Sequence, residues 1–599
     1  MLTKLPWKNN FYILFLSLLF AYFMQYSINL NESSLAYTNS FLSFCLFGAF
    51  AYAIRQMTKS KTWDEISKLT NAGFAFSCLF AAAIVMGVQL DQTGNVNFHQ
   101  YKLYLSILIL GIGLAPFVAG IIYWLSRRQI CNTSNQGDRR YFVSLWLLFI
   151  LAYIPTLLAS LPGFFTYDAE TEVYMAMTGK YSSHHPMAHV LLIGFILKLF
   201  YKLFQSYNAG IIAYTILQII ITSGCFSYML YTLKKLGVHK WICNLSFVFL
   251  AFFPTVSMFV CCSTKDVYFS VGLVLLTTLL IEFCYNQNVF MGSTRHKILF
   301  VIASLLLLLF RNNGIYVYVI FSLLFLCFFR IWFKKLFPVL AAAFILYFSF
   351  NITVNNIYNV QPGSVAEMLC VPMQQLARVH AEDKATYSDD DLELLYTLIP
   401  KSVLENYNPK LADDIKFNFL LDNFKANFPA YFKLWIQTGF KQPDIYINSF
   451  LANTYGYWYP DTVIDGYEGK QIVDKVYGDS SYFAFVTEMP GVRNSLFPVL
   501  ESFYEKISFE IYQQKIPVVS MLFSIGFWQW IFLFVIFYLL NTKGKIYIIA
   551  LIPMLLVYLT MLLGPIALVR YVIYFFFSVP LLFSLLFDTN VFLKTKMDE

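Results

Sequence analysis

The feature that most constrains this chain is the blocking of its apolar residues into runs of about twenty, the length of α-helix that crosses a hydrocarbon core of about 30 Å. Such segments must satisfy every backbone N–H and C=O internally, so helices are expected and a barrel is not. Composition closes the alternative of a water-soluble globule. Of the 599 residues 58% are hydrophobic and 13% charged, and mean hydropathy is +0.60, too little polar surface for a globule of this size. The formal net charge of +8 reports topology before it reports an anionic partner, because Lys and Arg collect on the cytoplasmic side of membrane chains. Nothing in the pattern calls for nucleic acid.

MLTKLPWKNN before the first apolar run has the look of a signal peptide, but no small-residue cleavage site follows, so an uncleaved first helix is expected. The ten cysteines lie mostly inside apolar runs, and Cys370 alone falls in the long polar segment. They imply no disulfide framework.

Hydropathy and Lys/Arg asymmetry together predict about fourteen spans, near 11–28, 40–55, 70–90, 103–125, 141–160, 209–233, 241–262, 267–285, 298–310, 315–332, 336–352, 516–540, 545–563 and 571–588. Arg55, Lys59, Lys61, Lys68, Arg127, Arg128, Arg139 and Arg140 then face the cytoplasm, while 29–39 and 91–101 carry no Lys or Arg. The stretch 189–204 carries Lys198 and Lys202. It is expected to lie in the outer interface, because crossing would place Lys234, Lys235 and Lys240 outside. Lys594 and Lys596 fall inside, which makes both termini cytoplasmic.

The chain then divides into an N-terminal four-helix membrane segment (1–140), a transmembrane core (141–352) with an outer first loop (161–208), a mostly helical extracytoplasmic domain (353–515), and three last spans with a cytoplasmic tail (516–599). In the outer domain, Ser388 followed by Asp389, Asp390 and Asp391 predicts a capped helix that Pro400 ends. Pro409, Pro429 and Pro443 are each expected to head a helix. The tract Asn453 to Asp461, NTYGYWYPD, reads as turn-rich.

The first outer loop concentrates Asp168, Glu170, Glu172, His184, His185 and His189. A carboxylate held at the membrane surface just past a helix, as Asp168 is, suits the removal of a proton from an acceptor hydroxyl while a bond to a phosphate leaving group breaks. The alternative is a solvated acidic loop face. Lys265 and Asp266 stand in a turn too short to be a free polar loop, where ionisable groups are costly unless paired or used. Arg311 with Asn312 and Asn313 interrupts an apolar stretch on the same side, and a guanidinium there binds phosphate in bidentate fashion. Arg570 and Tyr571 open the last span and add a second fixed cation. Cations beside carboxylates at one face match a reaction that expels a phosphate. A structural ion pair, a snorkelling hairpin tip and a headgroup anchor are the respective alternatives. The three histidines offer metal ligation with Asp168, although the adjacent pair cannot both point one way from a regular helix.

These residues resemble the GT-C class of membrane glycosyltransferases, in a bacterial branch. PGFFTYDAETE followed by HHPMAHVLLIGFILKLF is similar to that class's outer loop and interfacial helix. The KD of the next outer turn, the RNNG hairpin, the terminal RY and the tract VPMQQLARV also look like elements of the branch, across about 141–588. The resemblance implies transfer of a sugar from a polyprenyl-phosphate-linked donor to a cell-envelope glycan or polymer acceptor on the outer face of the cell membrane. It implies Asp168 as base and Asp266 as second catalytic acid. Glu170, Glu172, His184, His185, Lys265, Arg311, Asn312, Gln375, Arg378, Arg570 and Tyr571 would bind substrate, with Gln374 beside them. Four spans precede the expected first core helix, and no adjacent acidic pair stands at Asp168. The residues therefore name no certain cofactor and leave a divalent cation open. A transporter or flippase of lipid-linked sugars, or a non-catalytic cell-envelope assembly protein, is the competing reading.

Overall fold

The computed structural model describes residues 2–28, 41–127, 138–472, 475–516, 518–542 and 544–587. The expectations for the 29–39 loop, for Arg128 and for the tail with Lys594 and Lys596 lie outside the described residues. Helices hold 77% of the described residues, and the protein is an α-helical multi-pass membrane protein. Among the described residues eight helices are long and apolar enough to cross a membrane, or ten if two bent pairs each count as one span. Seven of the eight coincide with expected spans. The eighth is Met187–Phe204, which the sequence reading laid in the interface and which qualifies for crossing by its length and apolar content.

The remaining expected spans take other forms, those at 40–55 and 298–310 being the helices Phe41–Lys59 and Thr294–Leu309. Lys240–Phe252 and Pro254–Val260 meet at 61°, because Pro254 cannot donate a backbone N–H to the preceding turn. Val569–Phe577 and Val579–Phe587 meet at 42°. Gly314–Phe328, Ile525–Leu540 and Lys545–Met561 are shorter apolar helices.

The chain forms two compact units, each drawn from separated stretches and from more than one of the four sequence segments. The first comprises Met1–Gln129, Met368–Thr462 and Ser524–Thr542. Its helices Thr70–Thr93 and Tyr101–Arg127 pack closely where Gly73 meets the Ala115 carbonyl, since a Cβ there would stand 2.5 Å from that oxygen. Its core gathers Trp7, Ile54, Trp63, Leu110 and Tyr455. Ser388 caps the helix Asp389–Leu398 in a capping box with Asp391, as the SDDD pattern predicts. Pro429 and Pro443 open the helices Phe428–Lys441 and Pro443–Trp458. Pro409 sits in a turn instead. Asn453 to Trp458, expected as turn, is the last part of the helix Pro443–Trp458: its residues are buried there, and burial overrides weak local propensity.

The second unit comprises Ile130–Glu367, Val463–Phe523 and Lys543–Glu599. At its centre runs Lys265–Tyr285, whose apolar window is buried throughout. Its residues Val267 to Ile281 carry no charged side chain, the pattern of a helix covered on every side. Tyr207–Lys235, Thr294–Leu309 and Ile548–Met561 pack around it. Regular pairing is slight. Gln471–Ile472 pairs antiparallel with Lys475–Val476, and single bridges join Phe164 to Cys262 and Ser182 to Gln361.

Candidate functional site

The second unit brings most of the predicted ionisable residues to one cluster, each held at the end of a helix. Thr264 caps the central helix by accepting from the Asp266 N–H, which makes Lys265 and Asp266 its first two residues. The preceding turn is fixed by the Phe164–Cys262 bridge: Phe164 N–H donates to Cys261 at 2.9 Å, and Ser263 N–H donates back to Phe164 at 2.9 Å. Those bonds bring the loop that carries Asp168 beside the Lys265 turn.

Asp168 stands at the N-cap of Ala169–Thr178, yet its side chain makes no capping bond. Both Tyr167 and Asp168 are left-handed, with φ of 59° and 73°. This region costs a non-glycine residue about 1–2 kcal/mol, and such geometry persists only where surroundings over-determine it. Here the Tyr167 hydroxyl accepts from the Ala484 N–H at 2.8 Å, and its ring packs on Phe259 and Phe483. The outcome is an Asp168 carboxylate turned away from its own helix and toward two cations. Asp168 Oδ2 accepts from Lys265 Nζ at 2.9 Å and from an Arg570 terminal nitrogen at 3.1 Å.

The Lys265 ammonium has three protons and three partners: Asp168, Glu172 Oε1 at 3.1 Å, and His185 Nδ1 at 3.0 Å. Since an ammonium only donates, His185 accepts through Nδ1 and carries its proton on Nε2. The ligand-type atoms from which a metal site would be built thus converge on an ammonium. Among the described residues no group of three or more His, Cys, Asp or Glu side chains is arranged to hold a metal ion.

A second layer supports Glu172, which is 1% exposed. Its other oxygen meets His189 Nδ1 in a short contact, and His189 Nε2 lies 2.6 Å from the Tyr214 hydroxyl. Tyr214 donates to Gln218 Oε1 at 3.1 Å, and the Gln218 amide donates to the Cys262 and Val260 carbonyls at 2.7 and 3.0 Å. That direction leaves Tyr214 to accept from His189 Nε2. The chain returns to the turn that carries Lys265 and locks it from behind.

On the other side, Asp266 Oδ1 accepts from Arg311 at 2.7 Å, and Asp266 Oδ2 accepts from the Thr264 hydroxyl at 3.1 Å. Arg311 projects from a hairpin so tight that a Cβ on Gly314 would stand 2.0 Å from the Leu307 carbonyl oxygen; the glycine of RNNG is required there. Two guanidinium groups lie over the Tyr571 ring, Arg311 at 4.6 Å and Arg570 at 4.7 Å from its centre. Arg570 also donates to the Tyr571 hydroxyl at 2.9 Å and lies over the Tyr167 ring. Its Nε is buried without a hydrogen-bond partner, 4.0 Å from Asp266.

Electrostatics follow from this packing. Burial raises the Asp168 carboxyl, but Lys265 and Arg570, helped by His185, more than reverse that and hold it well below the ordinary range. Burial likewise opposes ionisation of Glu172, and His189 and Lys265 outweigh it, bringing the carboxyl down to about 2. Burial and the Lys265 charge depress His185 to about 4, against the pull of Asp168 and Glu172. Glu488 behaves oppositely: burial, together with the Asp168 charge, pushes it up to about 7 against the Glu170 N–H and Arg570.

Glu488 was not foreseen. Its Oε2 accepts from the Glu170 N–H at 2.9 Å, its own N–H donates to Phe165 at 2.8 Å, and among the described residues no Lys, Arg or His nitrogen lies within 4.0 Å of its carboxylate. Nothing in TEMPG marks it; only the Phe165 pairing, a contact between segments over 300 residues apart, places it. Tyr167, Tyr214 and Gln218 were also missed, as polar atoms inside apolar context.

Asp168, Glu172, His185, Lys265, Asp266, Arg311, Arg570 and Tyr571 are therefore brought together. Glu170 contributes its backbone N–H while its side chain is exposed. His184 sits at the edge, 3.7 Å from Glu367. Asn312 donates to the Ser183 and His184 carbonyls, tying hairpin to loop. Two of the expected residues stand apart from this cluster. Arg378 belongs to the other unit, is 2% exposed, and its guanidinium is taken up by Glu382, Asn448, Gly94 and Asn95. Gln375 there donates to Tyr446 and accepts from Trp435. Gln374 donates to the Asn408 carbonyl in the same unit. The polar groups of VPMQQLARV hold that unit together.

No curated protein and no solved structure matches this chain. A family model described as a family of unknown function matches residues 173–591, a stretch that includes Lys265, Asp266, Arg311, Glu488 and Arg570 and begins just after Asp168 and Glu172. The chain belongs to that family, DUF6020.

Proposed function

We propose that this protein is a membrane glycosyltransferase of the GT-C kind, moving a sugar from a polyprenyl-phosphate donor to a cell-envelope glycan or polymer. The observation that carries this reading is the cluster itself: Lys265, Arg311 and Arg570 interleaved with Asp168, Glu172 and Asp266 at helix ends. Such a set balances three cations with three carboxylates, so a phosphate binds by displacing a carboxylate from a cation that is already in place. Preorganised cations aimed at a departing phosphate are the main requirement of this chemistry. Gathering at helix ends, and not along a crossing path, favours an enzyme over a transporter.

In this reading the acceptor hydroxyl oxygen attacks the anomeric carbon, the bond from that carbon to the lipid phosphate oxygen breaks, and its electron pair leaves on the phosphate. Arg570, Arg311 and Lys265 neutralise that phosphate. Asp168 and Asp266 hold the cations in register until it arrives. The proton-accepting role expected of Asp168 suits it poorly, because a carboxylate held well below its ordinary range is a weak base. The reading retains about fourteen spans, cytoplasmic termini and a site on the outer face.

The test is to reconstitute the purified protein in lipid nanodiscs with radiolabelled undecaprenyl-phosphate hexoses and pentoses and follow label leaving the lipid fraction. Release by wild type but not by Arg570→Ala supports the reading. If no donor in the panel is consumed, the reading fails.

A further inference from the structure

We propose that Glu488 is the group that takes the acceptor's proton, because it is the carboxylate at this cluster that is anchored beside Asp168 without being bound to a cation. The inference rests on the glycosyltransferase reading and identifies its base.

The geometry separates two kinds of carboxylate. Asp168, Glu172 and Asp266 each contact at least one Lys or Arg nitrogen. Glu488 is fixed through Oε2 to the first turn of Ala169–Thr178, leaving Oε1 without a protein partner among the described residues. Its segment is pinned twice to the loop that carries Asp168, by the Glu488 N–H to Phe165 and the Ala484 N–H to Tyr167. A base needs this combination of fixed position and an oxygen free to receive a proton.

The groups facing Glu488 are Asp168 and Glu170 from the loop and its helix, Arg570 from the final span, Tyr477 from the hairpin and Cys262 from the central turn. The two acids and burial make it a stronger base than a free carboxylate, and its pKa of about 7 is near the optimum for proton transfer at neutral pH. Balanced in full, the acceptor O–H becomes an O–C bond to the sugar, the O–H proton moves to Glu488 Oε1, and the electron pair of the broken C–O bond leaves with the phosphate. Glu488 then returns the proton to water. The donor is a phosphodiester with no titration near neutrality, so a limb in that range belongs to the protein.

The experiment measures kcat/KM for release from the labelled donor that wild type consumes, across pH, for wild type, Glu488→Gln, Glu488→Asp and Asp168→Asn. Wild type should rise about tenfold per pH unit below about 7 and level above it. Glu488→Gln should lose that limb and about 10² to 10⁴ in rate, Glu488→Asp should keep a displaced limb, and Asp168→Asn should keep a limb moved to lower pH, because the Asp168 charge helps to raise Glu488, at reduced rate. A limb and rate preserved in Glu488→Gln overturn the assignment. Infrared titration provides a readout that needs no turnover: a protonated-carboxyl band should vanish near neutral pH in wild type and be missing from Glu488→Gln. The same band in both proteins overturns the assignment too. If wild type consumes no donor, the glycosyltransferase reading fails, and the infrared titration alone decides whether Glu488 accepts a proton near neutrality.

Discussion

Lys265 and Asp168 are 97 positions apart in the chain and 2.9 Å apart in the folded protein. That ion pair joins the first turn of the central buried helix to a strained loop, and it is the contact on which the cluster is organised. Lys265 also carries Glu172 and His185, so the ammonium holds three groups whose own backbones come from one loop.

Lys265→Ala should therefore destabilise the protein by about 3–5 kcal/mol, the usual result of leaving a buried charge without its partner. Lys265→Ala combined with Glu172→Gln should recover part of the loss, with a coupling of about 0.5–3 kcal/mol. Thermal unfolding in detergent of the singles and the double checks this. Additive losses would mean that the two side chains do not interact.

His185 and Glu172 should each lose stability in acid, while Glu488, raised from 4.5 to about 7, gains as pH falls through about 7 and so opposes His185 in the upper window. His185 is depressed in the folded state to about 4 from 6.5, so below 6.5 the unfolded chain binds the proton first. Its contribution is fully present above 6.5 and lost as pH falls toward about 4, on the order of 3 kcal/mol in all. Glu172, lowered from 4.5 to about 2, contributes above 4.5 and is lost as pH falls through about 2. His185→Asn should leave Glu488 unopposed, so that stability rises as pH falls across the upper window, and should keep the lower window. Melting temperature against pH for both proteins measures it.

Arg378→Ala should act on folding. The guanidinium is buried and bonded to Glu382 and to three further oxygens of its own unit, so truncation should cost about 3 kcal/mol or more. Arg378→Lys should rescue little, because an ammonium lacks the planar fork. Reduced accumulation and a lower melting temperature are expected; a stable variant with weakened acceptor affinity would restore the substrate role.

Seven of the eight helices long and apolar enough to cross a membrane were legible because apolar length announces them, whereas Met187–Phe204 was assigned to the interface on the charge of its neighbours. Lys265, Asp266, Arg311 and Arg570 were legible for a related reason: an ionisable group at the edge of an apolar run is costly enough to need an explanation. What pairs with what was not. Asp168 looks from sequence like a free carboxylate, and only the αL turn at Tyr167 and Asp168 aims it at two cations. Glu488 sits in a segment with no periodicity, and its position depends on backbone pairing with Phe165. Arg378 carries the same ambiguity in reverse, since an Arg on a polar helix face reads as a binding residue until its acceptors are known. Pro254 stands in an otherwise continuous apolar stretch, so the 61° bend was hidden by a hydropathy average that proline barely alters.

The central claim is that Lys265, Arg311 and Arg570 form one phosphate site. Its most direct test is equilibrium binding of undecaprenyl monophosphate to the purified protein, compared with Arg311→Gln, Arg570→Gln and the double variant, each first shown to be folded. Each single change should weaken binding by about tenfold or more, the scale of one charge-assisted hydrogen bond. The double variant should lose less than the product of the two, because both guanidinium groups are held against Tyr571 and Asp266. Affinities indistinguishable from wild type in all three variants would contradict the account.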